Sequence, residues 1–281
     1  MTERGPAEAA IGVFDSGLGG LTVAAAIAQE LCSEHLVYLG DTARVPYGTR
    51  SPATVVRYAR KNVAFLRTQG VKLVVVACNT VSAQGLGGLA DGSALPILGV
   101  IRPGARAAVA ASSGGSICVL GTPATVRSNA YLNAIHEVAP GRRVHQVSCP
   151  LFVPLVEEGW LDHEVTERVA LEYFAPLAGM EIDTVILGCT HYPLLRGVIE
   201  RTLETTLGRA VAVVDSASAV AGSVAQFLAQ SGLARESAPA ARRFFVTDAP
   251  DRVGEVGNRF WGDALGEELD LQHVDIVDFP S

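Results

Sequence analysis

The sequence predicts an α/β protein in which parallel β-sheets are covered by helices on both faces. Short runs rich in Val, Ile and Leu alternate along the chain with longer amphipathic stretches, an order typical of parallel-sheet proteins. Most of the short runs lack alternating polar residues, which indicates strands that are buried on both faces. Two similar strand ends, "VVVACNT" and "VILGCTH", lie 111 positions apart and suggest two related halves.

Local patterns predict the elements one by one. An alanine-rich helix is expected over 19–32, and another begins with Ser51 as N-cap and Pro52 at its first position and ends at Gly70. The last part of the chain, from "RRFFV" to "LQHVDIV", is predicted as strand, helix, strand. Eight apolar runs are expected to be strands: 11–14, 35–40, 72–77, 96–100, 116–121, 144–149, 184–188 and 211–215.

A second pair of strand ends supports an internal repeat. The run "IGVFDSG" aligns with "ICVLGTP", so that Asp15 matches Gly121 at a spacing of 106. The alternative is a chance likeness, because short apolar strands carry little information.

Composition and charge exclude several classes of protein. The chain has 281 residues, 49% of them hydrophobic and 18% charged, which is enough for a large core. A net charge of −7 gives no electrostatic footprint for nucleic acid. No apolar stretch reaches the ~18–20 residues of a membrane span, and the N-terminus lacks a signal-peptide pattern. We therefore expect a cytoplasmic protein with no nucleic-acid or membrane partner, whose first ten residues form a disordered tail.

Five cysteines occur without a CxxC motif or regular spacing, which argues against a disulfide framework and a structural zinc site. Cys32, Cys118 and Cys149 lie within or beside apolar runs and are expected to be small buried hydrophobes. Cys78 and Cys189 each end a strand where a helix should begin. Such a position favours an anion, so we expect a lowered thiol pKa at both.

Ligands of open α/β sheets bind beyond the carboxyl ends of the strands, so the residues after each run are the candidate site. The turn "DSGLGG" at 15–20 follows a strand and precedes a helix, as a nucleotide-binding loop would. However, Thr22 stands where the dinucleotide motif needs glycine, and the Gly-Lys-Ser/Thr of a P-loop is absent. The glycines more simply permit a tight turn.

Two thiols from two halves predict acid–base chemistry on one carbon. One thiolate removes a proton and the opposite thiol donates one, which inverts a carbon beside a carboxylate. A single cysteine acting as a covalent nucleophile is the alternative. Lys61 and Lys72 are the only lysines, and neither stands at a strand end where it could hold pyridoxal phosphate. We therefore expect no cofactor and no metal.

Several segments together resemble the motifs of bacterial glutamate racemase, in order and over essentially the whole chain. They are "IGVFDSGLGGLTV", "YLGDTARVPYGTRS", "VVACNTVSA", "GTPATVRS", "CPLFVPLVEEG", "LGCTHYPLL", "VVDSASAVA" and "FFVTDAPDR". The resemblance implies two flavodoxin-like parallel-sheet domains related by pseudo-twofold symmetry, with the active site between them. We place the first at 1–101 plus 214–281 and the second at 102–213. It also implies cofactor-independent interconversion of L- and D-glutamate, supply of D-glutamate for peptidoglycan, and a homodimer.

The same resemblance assigns roles residue by residue. Cys78 and Cys189 become the acid–base thiols, assisted by Asp15, His191 and Glu157, with Glu158 as a neighbouring choice for the last. The implied substrate contacts are Asp15, Ser16, Pro46, Tyr47, Gly48, Asn79, Thr80, Thr122, Thr190 and His191.

Other interpretations stay open at this point. An aspartate racemase of the same superfamily is the first, although histidine after "GCT" favours glutamate by resemblance. A non-catalytic relative that binds DNA gyrase is the second. For single residues, His191 could be a helix-start histidine without a catalytic task, and Tyr47 could be a turn residue after Pro46.

Overall fold

The structure is a computed structural model that describes residues 6–89, 95–236, 239–261 and 269–280. Within these residues the chain forms two parallel β-sheets with helices on their faces, which confirms the predicted α/β class. None of the described helices is long and apolar enough to cross a membrane.

The elements alternate regularly in the first part of the chain. Single 3₁₀ turns occur at Pro6–Glu8, Thr42–Arg44 and Tyr47–Thr49. The strands and helices are β1 (Ile11–Asp15), α1 (Leu21–Glu30), β2 (Leu36–Gly40), α2 (Pro52–Thr68), β3 (Leu73–Val76), α3 (Asn79–Gln84), α4 (Leu86–Leu89), β4 (Ile97–Gly99) and α5 (Ile101–Ala111).

The alternation continues through the second part. Further 3₁₀ turns lie at Ala175–Leu177 and Tyr192–Leu195. The elements are β5 (Ser116–Gly121), α6 (Pro123–Ser128), α7 (Ala130–Val138), β6 (Val144–Ser148), α8 (Phe152–Glu157), α9 (Glu164–Phe174), β7 (Ile182–Gly188), α10 (Arg196–Leu207), β8 (Ala212–Asp215), α11 (Ser216–Ser231), β9 (Arg242–Val246), α12 (Pro250–Trp261) and β10 (Leu271–His273).

The two sheets repeat one strand order. The larger sheet runs β10-β9-β2-β1-β3-β4 and the smaller runs β6-β5-β7-β8, with every pair parallel. The order of the first four strands, 2-1-3-4, is therefore the order of the smaller sheet as well, and it is the flavodoxin-like order. Asp15 and Gly121 end equivalent strands, and Cys78 and Cys189 follow equivalent strands, as the repeat predicted.

The strand sequences explain the burial. All residues of β1, β2, β3 and β5 are buried, as expected of strands covered on both faces. Helix α11, which follows β8, packs against α1 and α5, so the chain returns to the first sheet after the second is complete. The domain bounds at 101/102 and 213/214 stay predictions; the second of them falls inside β8.

Ser51 caps α2 as predicted, because its side chain accepts a hydrogen bond from the backbone N–H of Thr54. The predicted helix over 19–32 is shorter, since α1 ends at Glu30. Cys32 lies beyond that end and is exposed, so the expectation that it is buried was wrong. Cys118 and Cys149 are buried as expected.

The expected N-terminal tail was wrong for residues 6–10, and residues 1–5 lie outside the described residues. The Ala7 carbonyl accepts a hydrogen bond from Lys72 Nζ at 2.7 Å, and Glu8 forms an ion pair with Arg235 at 2.8 Å. Lys72 also pairs with Glu34 at 2.6 Å, and both side chains are almost fully buried. These polar contacts fasten the segment to the start of β3.

Candidate active site

The turn after β1 holds Asp15 against its own glycine-rich backbone. Asp15 is 1% exposed, and its Oδ2 accepts a hydrogen bond from the Gly17 N–H at 3.0 Å. The Gly17 carbonyl accepts one from the hydroxyl of Tyr38 at 2.8 Å. A β-carbon at Gly20 would lie 2.4 Å from Asp15 Cβ, which explains that glycine. Burial raises the pKa of Asp15, while His191 and nearby backbone N–H groups oppose the rise.

Cys78 lies at the N-cap of α3 and is 6% exposed. Its thiol donates a hydrogen bond to Ser16 Oγ at 3.4 Å. The expected lowering of its pKa was wrong, because burial, followed by the charge of Asp15, raises the pKa of Cys78 to about 12. Hydrogen bonds from Ser16 and the Val81 backbone oppose the rise without offsetting it. Cys78 is therefore a neutral thiol near neutral pH.

Cys189 follows β7 in the second sheet and is 5% exposed. The chain does not enter an α-helix directly after it, because a 3₁₀ turn precedes α10, which begins at Arg196. Cys189 therefore does not stand at the start of an α-helix, although the sequence had predicted one there. The sulfur instead faces His191, whose Nδ1 lies 3.9 Å away.

His191 lies between Cys189 and a carboxylate. Its Nε2 is 3.1 Å from Glu157 Oε1 at the end of α8, and its ring packs edge-on against Phe260. Burial lowers the pKa of His191, but hydrogen bonds to Cys189 and Glu157, together with their charges, raise it to about 10. The imidazole is therefore protonated at neutral pH. Of the two neighbouring carboxylates, Glu157 is the one that contacts it.

The turn after β1 meets the loop that carries Cys189. Thr22 at the start of α1 donates a hydrogen bond to the Thr190 carbonyl at 3.2 Å. A β-carbon at Gly19 would lie 2.2 Å from Thr190 Oγ1 and 2.5 Å from His191 Nδ1. Cys78 contacts the same turn through Ser16, and Cys189 directly precedes Thr190. Both thiols therefore flank the contact between the turn after β1 and the loop after β7.

A pair of threonines closes another side of the interface. Thr80 Oγ1 lies 3.1 Å from Thr122 Oγ1, which also caps α6 by accepting from the Thr125 N–H. A β-carbon at Gly48 would lie 3.5 Å from Thr122. The structure therefore brings Thr80, Thr122 and Gly48 together, although they come from three distant stretches of the chain.

The Tyr47 side chain is buried in the hydrophobic core of the first half. It is 1% exposed, its hydroxyl donates a hydrogen bond to Asp41, and Asn62 donates to that hydroxyl at 3.4 Å. Pro46 is exposed just before it. The Tyr47 side chain anchors the turn that presents Gly48, and the predicted substrate contacts of Pro46 and Tyr47 stay predictions.

Sequence reasoning gave no role to Tyr131, Ser216 or Thr22, although it placed Ser216 at a strand end. Tyr131 donates a hydrogen bond to Asn79 Oδ1 at 2.7 Å, and Ser216 accepts one from Asn79 Nδ2 at 3.3 Å. Thr22, noted only as the residue that breaks a glycine motif, bonds to the Thr190 loop. The "VVDS" strand end pointed to Ser216 but not to its partner, and Tyr131 lies within a helix and gave no signal.

The site is distinct from an open cavity of about 820 Å³ between β4 and helices α5, α7 and α11. That cavity is lined by residues such as Arg102, Arg106 and Gln226 and includes none of the predicted site residues. Among the residues that the structure describes, no group of three or more His, Cys, Asp or Glu side chains could hold a metal ion.

The family model described as Asp/Glu/Hydantoin racemase matches residues 20–224 of the chain. The chain belongs to this family. The resemblance seen in the motifs is thereby confirmed, and relatives of the chain are glutamate racemases by name.

A glutamate racemase from Syntrophus aciditrophicus (strain SB) is 47% identical over 266 residues, which cover 94% of this chain and 97% of that relative. A glutamate racemase isoform from Bacillus anthracis has a TM-score of 0.88 at 37% identity, covering 95% of this chain and 97% of that one. Glutamate racemase from Francisella tularensis, solved in complex with D-glutamate, has a TM-score of 0.88 at 34% identity, covering 97% and 100% of the two chains.

Proposed function

We propose that this protein racemises glutamate without a cofactor, with Cys78 and Cys189 as the two acid–base groups. The observation that carries the proposal is the position of two buried thiols after equivalent strands of two sheets, on either side of the turn after β1, which contacts Cys78 through Ser16 and the Cys189 loop through Thr22. Two equivalent groups on opposite halves suit a reaction that runs in both directions.

The proposed step moves one proton off the α-carbon and another onto it. A thiolate takes the α-proton, so an S–H bond forms and the C–H bond breaks, and its electron pair moves into the adjacent carboxylate. The thiol on the opposite face then donates its proton to the same carbon, which inverts the configuration. The enzyme is left with the proton on the other sulfur, ready for the reverse direction.

The charges around the sulfurs favour one resting state. The protonated His191 ring beside Cys189 stabilises negative charge on that sulfur. The charge of Asp15 and burial keep Cys78 protonated at neutral pH. We therefore propose that Cys78 is a thiol in the resting enzyme, that the His191 ring assists Cys189, and that Asp15 and Glu157 are the carboxylates that assist the two sides.

Substrate recognition is proposed for the polar groups between the sheets. The hydroxyls of Thr80 and Thr122, the hydroxyls of Ser16 and Thr190, and the main chain around Gly48 supply donors for two carboxylates. Asp15 is the acceptor available for an ammonium group. The relative from Francisella tularensis was solved with D-glutamate, which supports glutamate rather than aspartate as the substrate.

The wider role follows from the family resemblance. We propose that the D-glutamate serves peptidoglycan synthesis in the cytoplasm and that the protein works as a homodimer. Because both thiols are almost fully buried, we also propose that the two halves separate to admit substrate.

The test is α-proton exchange in D₂O, followed by NMR with L-glutamate, D-glutamate and L-aspartate, on protein treated with hydroxylamine to remove any pyridoxal phosphate. We expect exchange and racemisation of both glutamate enantiomers and at least about a hundredfold slower reaction of aspartate, since a mispaired buried polar site discriminates strongly. Faster reaction of aspartate would reverse the choice of substrate. Loss of activity after hydroxylamine treatment would contradict the cofactor-independent route.

A further inference from the structure

A buried chain of hydrogen bonds connects the loop of one thiol to the strand of the other. Tyr131 on α7 donates to Asn79 Oδ1 at 2.7 Å, Asn79 Nδ2 donates to Ser216 Oγ at 3.3 Å, and Ser216 donates to the Leu187 carbonyl at 3.5 Å. Asn79 follows Cys78 directly, and Leu187 lies two residues before Cys189. All three side chains are at most 2% exposed.

The directions of these bonds are fixed by the chemistry of the last partner. A backbone carbonyl only accepts, so the Ser216 hydroxyl donates to Leu187 and is left to accept from the Asn79 NH₂ group. The Asn79 carbonyl oxygen must then face Tyr131, whose hydroxyl donates to it. One orientation of the Asn79 amide satisfies every bond, whereas with the amide reversed Ser216 would have to donate to Asn79 and its bond to the Leu187 carbonyl would be lost.

The ring of Tyr131 touches the second thiol's strand at the same time. A β-carbon at Gly188, the residue before Cys189, would lie 3.1 Å from Tyr131 Cε2, and one at Gly104 would lie 3.3 Å from Tyr131 Cε1. The ring therefore lies directly on the backbone at Gly188 and Gly104. Its hydroxyl reaches Asn79 beside Cys78, so a single side chain spans both strand ends.

We infer that Tyr131, acting with Ser216, is a positioning residue that sets the separation between Cys78 and Cys189 through Asn79. This inference rests on the proposed two-thiol function. Neither residue is required to touch the substrate. In a two-base reaction, the spacing of the bases decides whether a carbanion is reprotonated on the far side or on the side it left. The link would therefore govern inversion relative to exchange.

The experiment compares Tyr131→Phe and Ser216→Ala with Tyr192→Phe as the matched control. Tyr192 is equally buried and its hydroxyl also makes one hydrogen bond, to the Cys149 carbonyl at 2.8 Å, within its own half. For each protein, kcat, KM, thermal stability and the ratio of deuterium exchange into unreacted substrate to inversion are measured in D₂O.

We expect this ratio to rise about tenfold in Tyr131→Phe and in Ser216→Ala, with kcat lowered more than KM is changed, and to stay at the wild-type value in Tyr192→Phe. The double variant should resemble the single variants, because both changes break one link. A stability loss with an unchanged ratio, or an equal change in Tyr192→Phe, would overturn the inference and leave Tyr131 a merely structural residue.

A crystal structure of Tyr131→Phe provides a measurement that does not depend on activity. The inference requires the Cys78 Sγ to Cys189 Sγ separation to differ from that in a wild-type crystal, and an unchanged separation overturns it. Lack of exchange by the wild-type protein with either glutamate enantiomer would instead count against the proposed function, whatever the sulfur separation.

Discussion

Cys78 and Cys189 follow equivalent strands of two sheets with the same order, but the charged groups beside them have opposite signs. Cys78 shares its pocket with the carboxylate of Asp15, which adds to burial in raising the pKa of that thiol to about 12. Cys189 faces His191, whose own pKa is raised to about 10 by Cys189 and Glu157 against the effect of burial. The structural repeat thus places a cysteine at equivalent positions of the two halves, whereas the charged side chains beside the two cysteines differ.

The two halves therefore share a backbone arrangement without sharing a distribution of charge around the cysteines. The strand order fixes where each sulfur lies, because equivalent strand ends occupy equivalent places. Side chains from non-equivalent elements, Asp15 of β1 on one side and Glu157 of α8 through His191 on the other, then give the two sulfurs different charged surroundings. A two-base reaction needs one sulfur that accepts a proton and one that donates a proton in each direction. The surroundings of the two sulfurs can therefore differ.

The largest expected effect comes from removing either sulfur. Cys78→Ser and Cys189→Ser should each lower racemisation by about a thousandfold, the scale of general acid–base catalysis. Each variant should still exchange the α-proton of one enantiomer, and a different enantiomer in each case, as measured by NMR in D₂O. Cys118→Ser, a change of a buried cysteine away from the site, serves as control and should keep its activity. Normal racemisation by either strand-end variant would refute the two-thiol scheme.

His191→Asn tests the cationic side and should lower turnover by about a hundredfold, because it removes the charged donor that faces Cys189. The loss should fall mainly on the enantiomer that Cys78→Ser still exchanges, since that enantiomer depends on Cys189. His136→Asn, at an exposed histidine, provides the control. Equal losses for both enantiomers would mean that His191 does not act through Cys189 alone.

Asp15→Asn tests the anionic side through the thiol itself. Without the Asp15 charge, the pKa of Cys78 should fall below about 12, and the thiolate fraction at pH 9 rises about tenfold for each unit of that fall. Alkylation of Cys78, followed by mass spectrometry of its peptide, should accelerate accordingly. Cys118 in the same digest reports unfolding, because burial alone raises its pKa. An unchanged alkylation rate at Cys78 would show that the charge of Asp15 does not raise the pKa of this thiol.

Glu157→Gln should have the smallest effect at neutral pH, about threefold in kcat, because Glu157 is half-exposed and such pairs contribute little. Its effect should be clearer at high pH. Wild-type activity should fall as His191 deprotonates near pH 10, and this limb should move to lower pH in the variant, because Glu157 helps to raise the pKa of His191.

The pH dependence of protein stability tests the effect of Glu157 on the pKa of His191 without an activity measurement. The pKa of His191 is raised from 6.5 to about 10 in the folded protein, so its contribution is complete below pH 6.5 and is lost as pH rises towards 10. The thermal midpoint of Glu157→Gln should therefore depend less on pH across that interval than that of the wild type. Glu158→Gln, at the exposed neighbour, should behave as the wild type in both measurements.

Much of the fold was open to prediction because it depends on local pattern. Buried parallel strands need uninterrupted Val, Ile and Leu, and the runs at β1, β3, β5 and β7 supply them. The cap at Ser51 depends only on residues within one turn of helix. Cys32 was misjudged because the end of α1 could not be located to within two residues from alanine-rich sequence.

Part of the candidate site could likewise be predicted from local sequence, and part could not. Asp15, Cys78, Cys189 and His191 stand at strand ends, where ligands of parallel sheets bind, so residue type and position were enough to propose them as site residues. The sequence places His191 two residues from Cys189, but it could not tell that the Asp15 carboxylate acts on Cys78, and so it gave the wrong direction for the pKa of Cys78.

The sequence by itself determined the α/β class, the repeat and the two cysteines, since each depends on residues near one another in the chain. Only the tertiary structure decided the direction of the pKa shift of Cys78 and the contacts of Tyr131. Both depend on burial and on contacts between residues more than fifty positions apart, such as Tyr131 with Asn79 at a separation of 52. Desolvation and charge act through space, and no local pattern of residues records which distant side chain will lie beside a given sulfur.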